Sequence, residues 1–114
     1  RESPEECNIR EVYEETGLTL KSARYCGIVT FVSDKWETEY MHIFHSDSFS
    51  GEVRECDEGV LEWVDKNKLL DLPLWEGDKI FLRLIDEKSP FFSLKLVYEG
   101  EKLTAVVLNG EKII

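Results

Sequence analysis

Apolar and polar positions divide the chain into a helical opening, a β-rich middle, a second helical stretch and a closing hairpin. In "SPEECNIREVYEETGL", Ile9, Val12 and Thr16 recur at i, i+3 and i+7, which predicts one core-facing helical stripe with the glutamates mostly off it. Ser3 is placed to cap, Pro4 suits the first helical position, and Glu6 completes an S-x-x-E capping box. Gly17 supplies the stop. Beyond it, "RYCGIVTFVS" and "WETEYMHIFHS" are rich in β-branched and aromatic residues and read as strands, joined by a hairpin connection at Ser33-Asp34-Lys35. "VLEWVD" reads as a further short strand.

"NKLLDLPLWEGDKIFLRLID" returns to helical texture, with Ile80, Phe81, Leu84 and Ile85 as an apolar face and Asp78 placed to cap it. "FFSLKLVY" then alternates Phe92, Leu94, Leu96 and Tyr98 against Ser93 and Lys95, "EGE" turns, and "KLTAVVL" returns before Asn109-Gly110. No repeat, low-complexity tract or linker divides the chain, so residues 1–114 are expected to form one domain.

Composition narrows the class. The chain is 42% hydrophobic, enough for a core, and its 14 basic and 24 acidic side chains leave a net charge of −10. Such a field repels nucleic acid polymers and anionic membranes. Cys7, Cys26 and Cys56 are widely spaced and lack a C-x-x-C pair, which supports neither a disulfide framework nor a zinc knuckle and points to a reducing cytoplasm. No apolar run reaches membrane-spanning length, and no signal peptide is visible. His42 and His45 fall on opposite faces of a strand, so they do not make a joint ligand pair and read as structural. Cys7 reads as a buried or half-buried thiol, and no nucleophile elbow or phosphate-cradling glycine loop is present.

The acids of the first helix are harder to place. Glu14 and Glu15 lie near its C-terminal end, where backbone carbonyls already carry partial negative charge, and Glu11 repels Glu15 across an i,i+4 spacing. Glu11 and Glu15 share one face about 6 Å apart, with Glu14 on the adjoining row. Hard oxygen ligands at that spacing suit Mg²⁺ or Mn²⁺, ions that keep several waters and bridge to substrate phosphates. Arg10 is placed to orient one glutamate through a charge-assisted bond. By spacing alone a solvated acidic face is the better reading of the cluster.

The wider pattern distinguishes the two readings. Glu2, seven intervening residues, then "REVYEETGL" resembles the signature of the Nudix hydrolases from its internal glutamate onward. The glycine that begins that signature would precede Arg1, and so would the strands with which family members open, so a longer N-terminus is expected. The resemblance implies a loop-helix-loop that binds Mg²⁺ or Mn²⁺ beside a diphosphate, with Glu11, Glu14 and Glu15 as metal ligands. It also implies an α/β fold, the Nudix-type α/β/α sandwich built on a mixed sheet.

Similarity extends through "GIVTFVSDKWETEYMHIFHSDSFSGEVRECDEGVLEWV", "LPLWEGDKIF" and "LVYEGEKL", which look like the oxidised-purine nucleoside triphosphate branch of the family. That branch implies metal-dependent hydrolysis of an 8-oxo-dGTP-like nucleotide to monophosphate and pyrophosphate. Its catalytic set maps onto Arg10, Glu11 and Glu14, and onto Glu58, which by itself reads as an exposed loop acid. Its base contacts map onto Phe31, Trp75 and Asp78, with Gly77 standing where a second acid would be. Phe31 and Trp75 read otherwise as core, and Asp78 as a helix cap. ADP-ribose, a dinucleoside polyphosphate, or a non-catalytic nucleotide-sensing role are the competing readings. Either way the expected partner is a small nucleotide, held by a monomer or homodimer.

Overall fold

The computed structural model of the protein describes residues 1–53 and 66–113. Helix α1 spans Pro4–Thr16, strands β1 and β2 span Thr19–Ser33 and Glu39–Ser50, and a short 3₁₀ turn at Lys66–Asp71 precedes helix α2 at Glu76–Asp86. Strands β3 (Phe92–Glu99), β4 (Lys102–Leu108) and β5 (Glu111–Lys112) complete one sheet in the order β2-β1-β3-β4-β5. The β1–β3 pair is parallel and the others antiparallel, so the sheet is mixed, with α2 in the connection that brings β3 beside β1. The segment read as a strand at "VLEWVD" lies outside the described residues.

The core is one face of this sheet. Phe92, Leu94, Leu96 and Tyr98 alternate inward along β3 and meet Val29 of β1 and Val106 of β4. Each of these six is no more than 1% exposed. Burial of such side chains stabilises by about 1.5–3 kcal/mol each before entropy is counted. The predicted apolar face of α2, Ile80, Phe81, Leu84 and Ile85, packs against the cluster. At Gly77 α2 lies close against the sheet, since a Cβ there would lie 2.5 Å from Leu96 Cδ1.

Outside the core face, Tyr25 stacks on Phe44 at 4.5 Å between ring centroids and meets the edge of Phe91 at 5.1 Å. Its hydroxyl shares a hydrogen bond with Nδ1 of His42, while His45 is exposed. Burial pushes the Tyr25 phenol above its ordinary pKa, and the charge of Glu5 adds to that push.

Three expectations need correction. Strand β1 begins at Thr19, five residues before the apolar alternation does, because Thr19 and Leu20 pair with Ser50 and Phe49 across an irregular register. Cross-strand pairing, which propensity does not encode, sets that boundary. Ile9 is 45% exposed, and only Val12 and Thr16 of the predicted stripe are half-buried. Among the described residues no side chain of α1 is fully buried, and the helix packs on β1. Asp78 is not the N-cap of α2. Trp75 holds that position in extended conformation without a side-chain cap bond, which puts Asp78 at the third helical residue.

Candidate active site

Helix α1 begins as its sequence predicts. Ser3 Oγ accepts from the Glu6 amide at 3.1 Å, and the Ser3 amide donates to Glu6 Oε1 at 3.1 Å. Gly17 ends it in the left-handed region at φ 82°, its amide donating to the Tyr13 carbonyl at 2.9 Å. Along the helix, Glu11, Glu14 and Glu15 are open to solvent.

Arg10 organises the face. Its Nε donates to both carboxylate oxygens of Glu2 at 2.8 Å, and Nη1 donates to Glu14 Oε2 at 3.0 Å. Nη2 lies 3.9 Å from Glu11 Oε1. Bonds to Glu2 first and Glu14 second raise the Arg10 pKa further above its already high ordinary value, so its charge is permanent. One guanidinium therefore links the start of the chain to two acids of the motif. All four side chains are at least one-third exposed, and the value of the clamp lies in orientation rather than in stability.

Cys7 is half-buried on the same helix, and its thiol donates to Glu11 Oε1 at 3.3 Å. That bond, burial and the Glu11 charge all push the thiol pKa up, which keeps it protonated and unsuited to be a nucleophile. Cys26 is buried in the core, and Cys56 lies outside the described residues.

The three glutamates are not drawn together as ligands. Glu14 is turned toward Arg10, Glu11 toward Cys7 and Arg10, and Glu15 stands exposed in the last turn. Among the described residues no three His, Cys, Asp or Glu side chains are grouped closely enough to hold an ion. Like charges on one helix face repel each other, and the bonds to Arg10 and Cys7 turn two of the three aside. The donor chemistry nonetheless fits Mg²⁺ or Mn²⁺: three carboxylates lie within five residues of one helix, and all are exposed and able to rotate. Glu58 lies outside the described residues.

A second group forms where β1, β3 and the start of α2 meet. The Phe31 and Trp75 rings are 6.2 Å apart, and both contact Tyr98, at 5.1 and 5.0 Å. Trp75 keeps 37% of its surface exposed and Phe31 is half-buried, so both have an accessible side. Asp78, half-buried, follows one turn into α2. Sequence reasoning did not single out Tyr98. The available signal was a phenol at the end of an otherwise apolar inward row, since a buried hydroxyl needs a polar partner.

The NUDIX domain family matches residues 1–85 of this chain. The chain belongs to the Nudix family. An oxidized purine nucleoside triphosphate hydrolase of Danio rerio is 35% identical over 92 residues, covering 79% of this chain and 58% of that protein. A Nudix hydrolase of Bacillus subtilis (strain 168), YvcI, is 38% identical over 82 residues, covering 68% of this chain and 52% of its own length. This Nudix chain thus spans little more than half the length of either relative. The crystal structure of a mutator MutT protein from Bacillus halodurans superimposes with a TM-score of 0.87 at 28% identity, covering 96% of this chain and 76% of that one. The mixed sheet with its two helices is therefore the Nudix α/β fold.

Proposed function

We infer that this Nudix domain hydrolyses a purine nucleoside triphosphate of the 8-oxo-dGTP kind to the monophosphate and pyrophosphate. The observation that carries the reading is the Arg10 clamp, which ties Glu2, just before α1, to Glu14 on the helix that also carries Glu11 and Glu15. The aromatic group of Phe31 and Trp75 supplies a stacking surface for a base, and the Danio rerio relative is named for this class of substrate.

Glu11, Glu14 and Glu15 would hold Mg²⁺ or Mn²⁺, which when bound neutralises the phosphates and acidifies a water. Arg10 keeps Glu14 oriented and balances part of the charge of the acidic face. A glutamate of this face takes the proton of the attacking water, with Glu58 as the candidate from outside it. Phe31 and Trp75 hold the base, and Asp78 accepts hydrogen bonds from its edge.

The substrate is a free nucleotide, taken in the cytoplasm by a monomer or homodimer, since a net charge of −10 opposes polymeric nucleic acid and anionic membrane surfaces. No helix among the described residues is long and apolar enough to cross a membrane.

Product analysis against a nucleotide panel tests the reading. Oxidised purine triphosphates should yield monophosphate and pyrophosphate, and EDTA should abolish the reaction. Preferred turnover of ADP-ribose or dinucleoside polyphosphates would reassign the substrate, and hydrolysis insensitive to EDTA would sink the mechanism. Asp78→Asn should lower discrimination between oxidised and normal dGTP more than it lowers turnover, because a site that hydrogen-bonds one edge rejects others by leaving polar groups unpaired.

A further inference from the structure

Tyr98 is only 1% exposed, yet it carries a hydroxyl into an apolar core. The partner of that hydroxyl is the Gly77 amide, which donates to it at 2.8 Å. Gly77 is the second residue of α2, so its N–H is one of those a helix cannot satisfy internally, and Trp75 at the N-cap makes no side-chain cap bond. The cap comes instead from β3. The same phenol ring touches Phe31 and Trp75, so one side chain braces both aromatic walls and the helix start that carries Asp78.

The contact also closes position 77. A Cβ on Gly77 would lie 2.5 Å from Leu96 Cδ1 and 2.6 Å from the Tyr98 hydroxyl, so any side chain there must displace both. Of positions 77 and 78, only Asp78 can then present a carboxylate to a base. A carboxylate accepts hydrogen bonds and donates none. It suits a guanine-type edge with two adjacent N–H donors better than an adenine-type edge, where donor and acceptor alternate.

We propose that Tyr98 is a positioning and specificity-determining residue, holding Trp75 and Asp78 through Gly77 so that the pocket selects guanine-type over adenine-type purine triphosphates. The proposal rests on the nucleotide-hydrolase reading above, deepens it, and is tested separately from it.

In Tyr98→Phe, exchange of the Gly77 amide measured by NMR should accelerate by about tenfold or more, as one buried hydrogen bond is lost. KM for a guanine-type triphosphate should rise by about tenfold, with the loss falling on KM rather than kcat, and the guanine-to-adenine ratio of kcat/KM should fall toward one. Gly77→Ala should weaken binding and lower stability, and adding Tyr98→Phe should recover part of that loss by removing the hydroxyl the new methyl meets. Unchanged Gly77 exchange, strictly additive effects of the two substitutions, or an unchanged base ratio would overturn the proposal. Absence of turnover in the wild type on every nucleotide would defeat the hydrolase reading instead. The Gly77 exchange rates and a titration of Trp75 and Gly77 signals with guanine and adenine triphosphates would still decide the role of Tyr98.

Discussion

Gly27 offers a direct test of how the sheet holds together. It pairs with Phe92 in the parallel β1–β3 ladder and with Ile43 on the other side. An alanine Cβ at this position would lie 2.4 Å from the Phe92 carbonyl oxygen and 2.7 and 2.8 Å from Cδ1 and Cγ of its ring. Ordinary carbon–oxygen contact begins near 3.3 Å, so relief requires a local separation of roughly 0.9 Å between backbones. Overpacking of this kind costs about 1–3 kcal/mol, and each ladder bond that lengthens gives up about 1 kcal/mol more. Against this stands a gain of about 0.5–1 kcal/mol from the smaller conformational freedom of alanine in the unfolded chain. The net expectation is a loss of about 2–3 kcal/mol, seen as a lower urea midpoint with an unchanged m-value and a Tm reduced by roughly 8–12 °C. Gly100→Ala is the control: nothing lies within 4 Å of its Cβ position, and only the left-handed φ of 61° opposes it, at about 1–2 kcal/mol. The reasoning fails if Gly27→Ala lies within about 0.5 kcal/mol of wild type, the usual range for substitutions without a specific steric mechanism.

Glu15→Gln should lower turnover by orders of magnitude while thermal stability stays level or rises slightly. It removes a like charge four residues from Glu11 at the carbonyl end of α1, an effect of a few tenths of a kcal/mol. Normal turnover in this variant would remove Glu15 from the metal site. Apo protein should gain stability when Mg²⁺ or Mn²⁺ is added, by mass action, and a flat melting curve series would count against the carboxylate site. The phenol of Tyr98 is raised above its ordinary 10.0 by burial, with the Gly77 amide pulling the other way and Asp78 and Glu76 adding to the rise. Folding therefore favours the protonated form. The contribution is fully present below pH 10 and is lost as pH rises through the higher folded-state pKa. Urea midpoints compared at about pH 8 and pH 11 should fall more steeply in wild type than in Tyr98→Phe, and parallel slopes would refute the assignment.

Whatever depends on neighbours within a few residues was legible in the sequence itself. The Ser3–Glu6 box, the Gly17 stop and the inward alternation of Phe92, Leu94, Leu96 and Tyr98 all stand in the structure. So does the Asn109-Gly110 turn, whose positive φ values of 51° and 86° are those such a pair adopts readily. Periods of 3.6 and 2 are local rules, and capping is a contact across three residues. The motif from Glu2 to Leu18 also carried the family resemblance. Tertiary structure alone decided the rest. Pairing across the sheet set the start of β1, and the lack of a covering layer among the described residues left Ile9 exposed. The cap of α2 passed from the expected Asp78 to a hydroxyl 21 residues from Gly77, because a buried phenol and an orphan helix amide satisfy each other only once β3 and α2 are packed. The carboxylates of α1, by contrast, are turned by contacts within one helix: Arg10 holds Glu14 and Cys7 holds Glu11, each one turn away, so their direction follows from spacing and local chemistry.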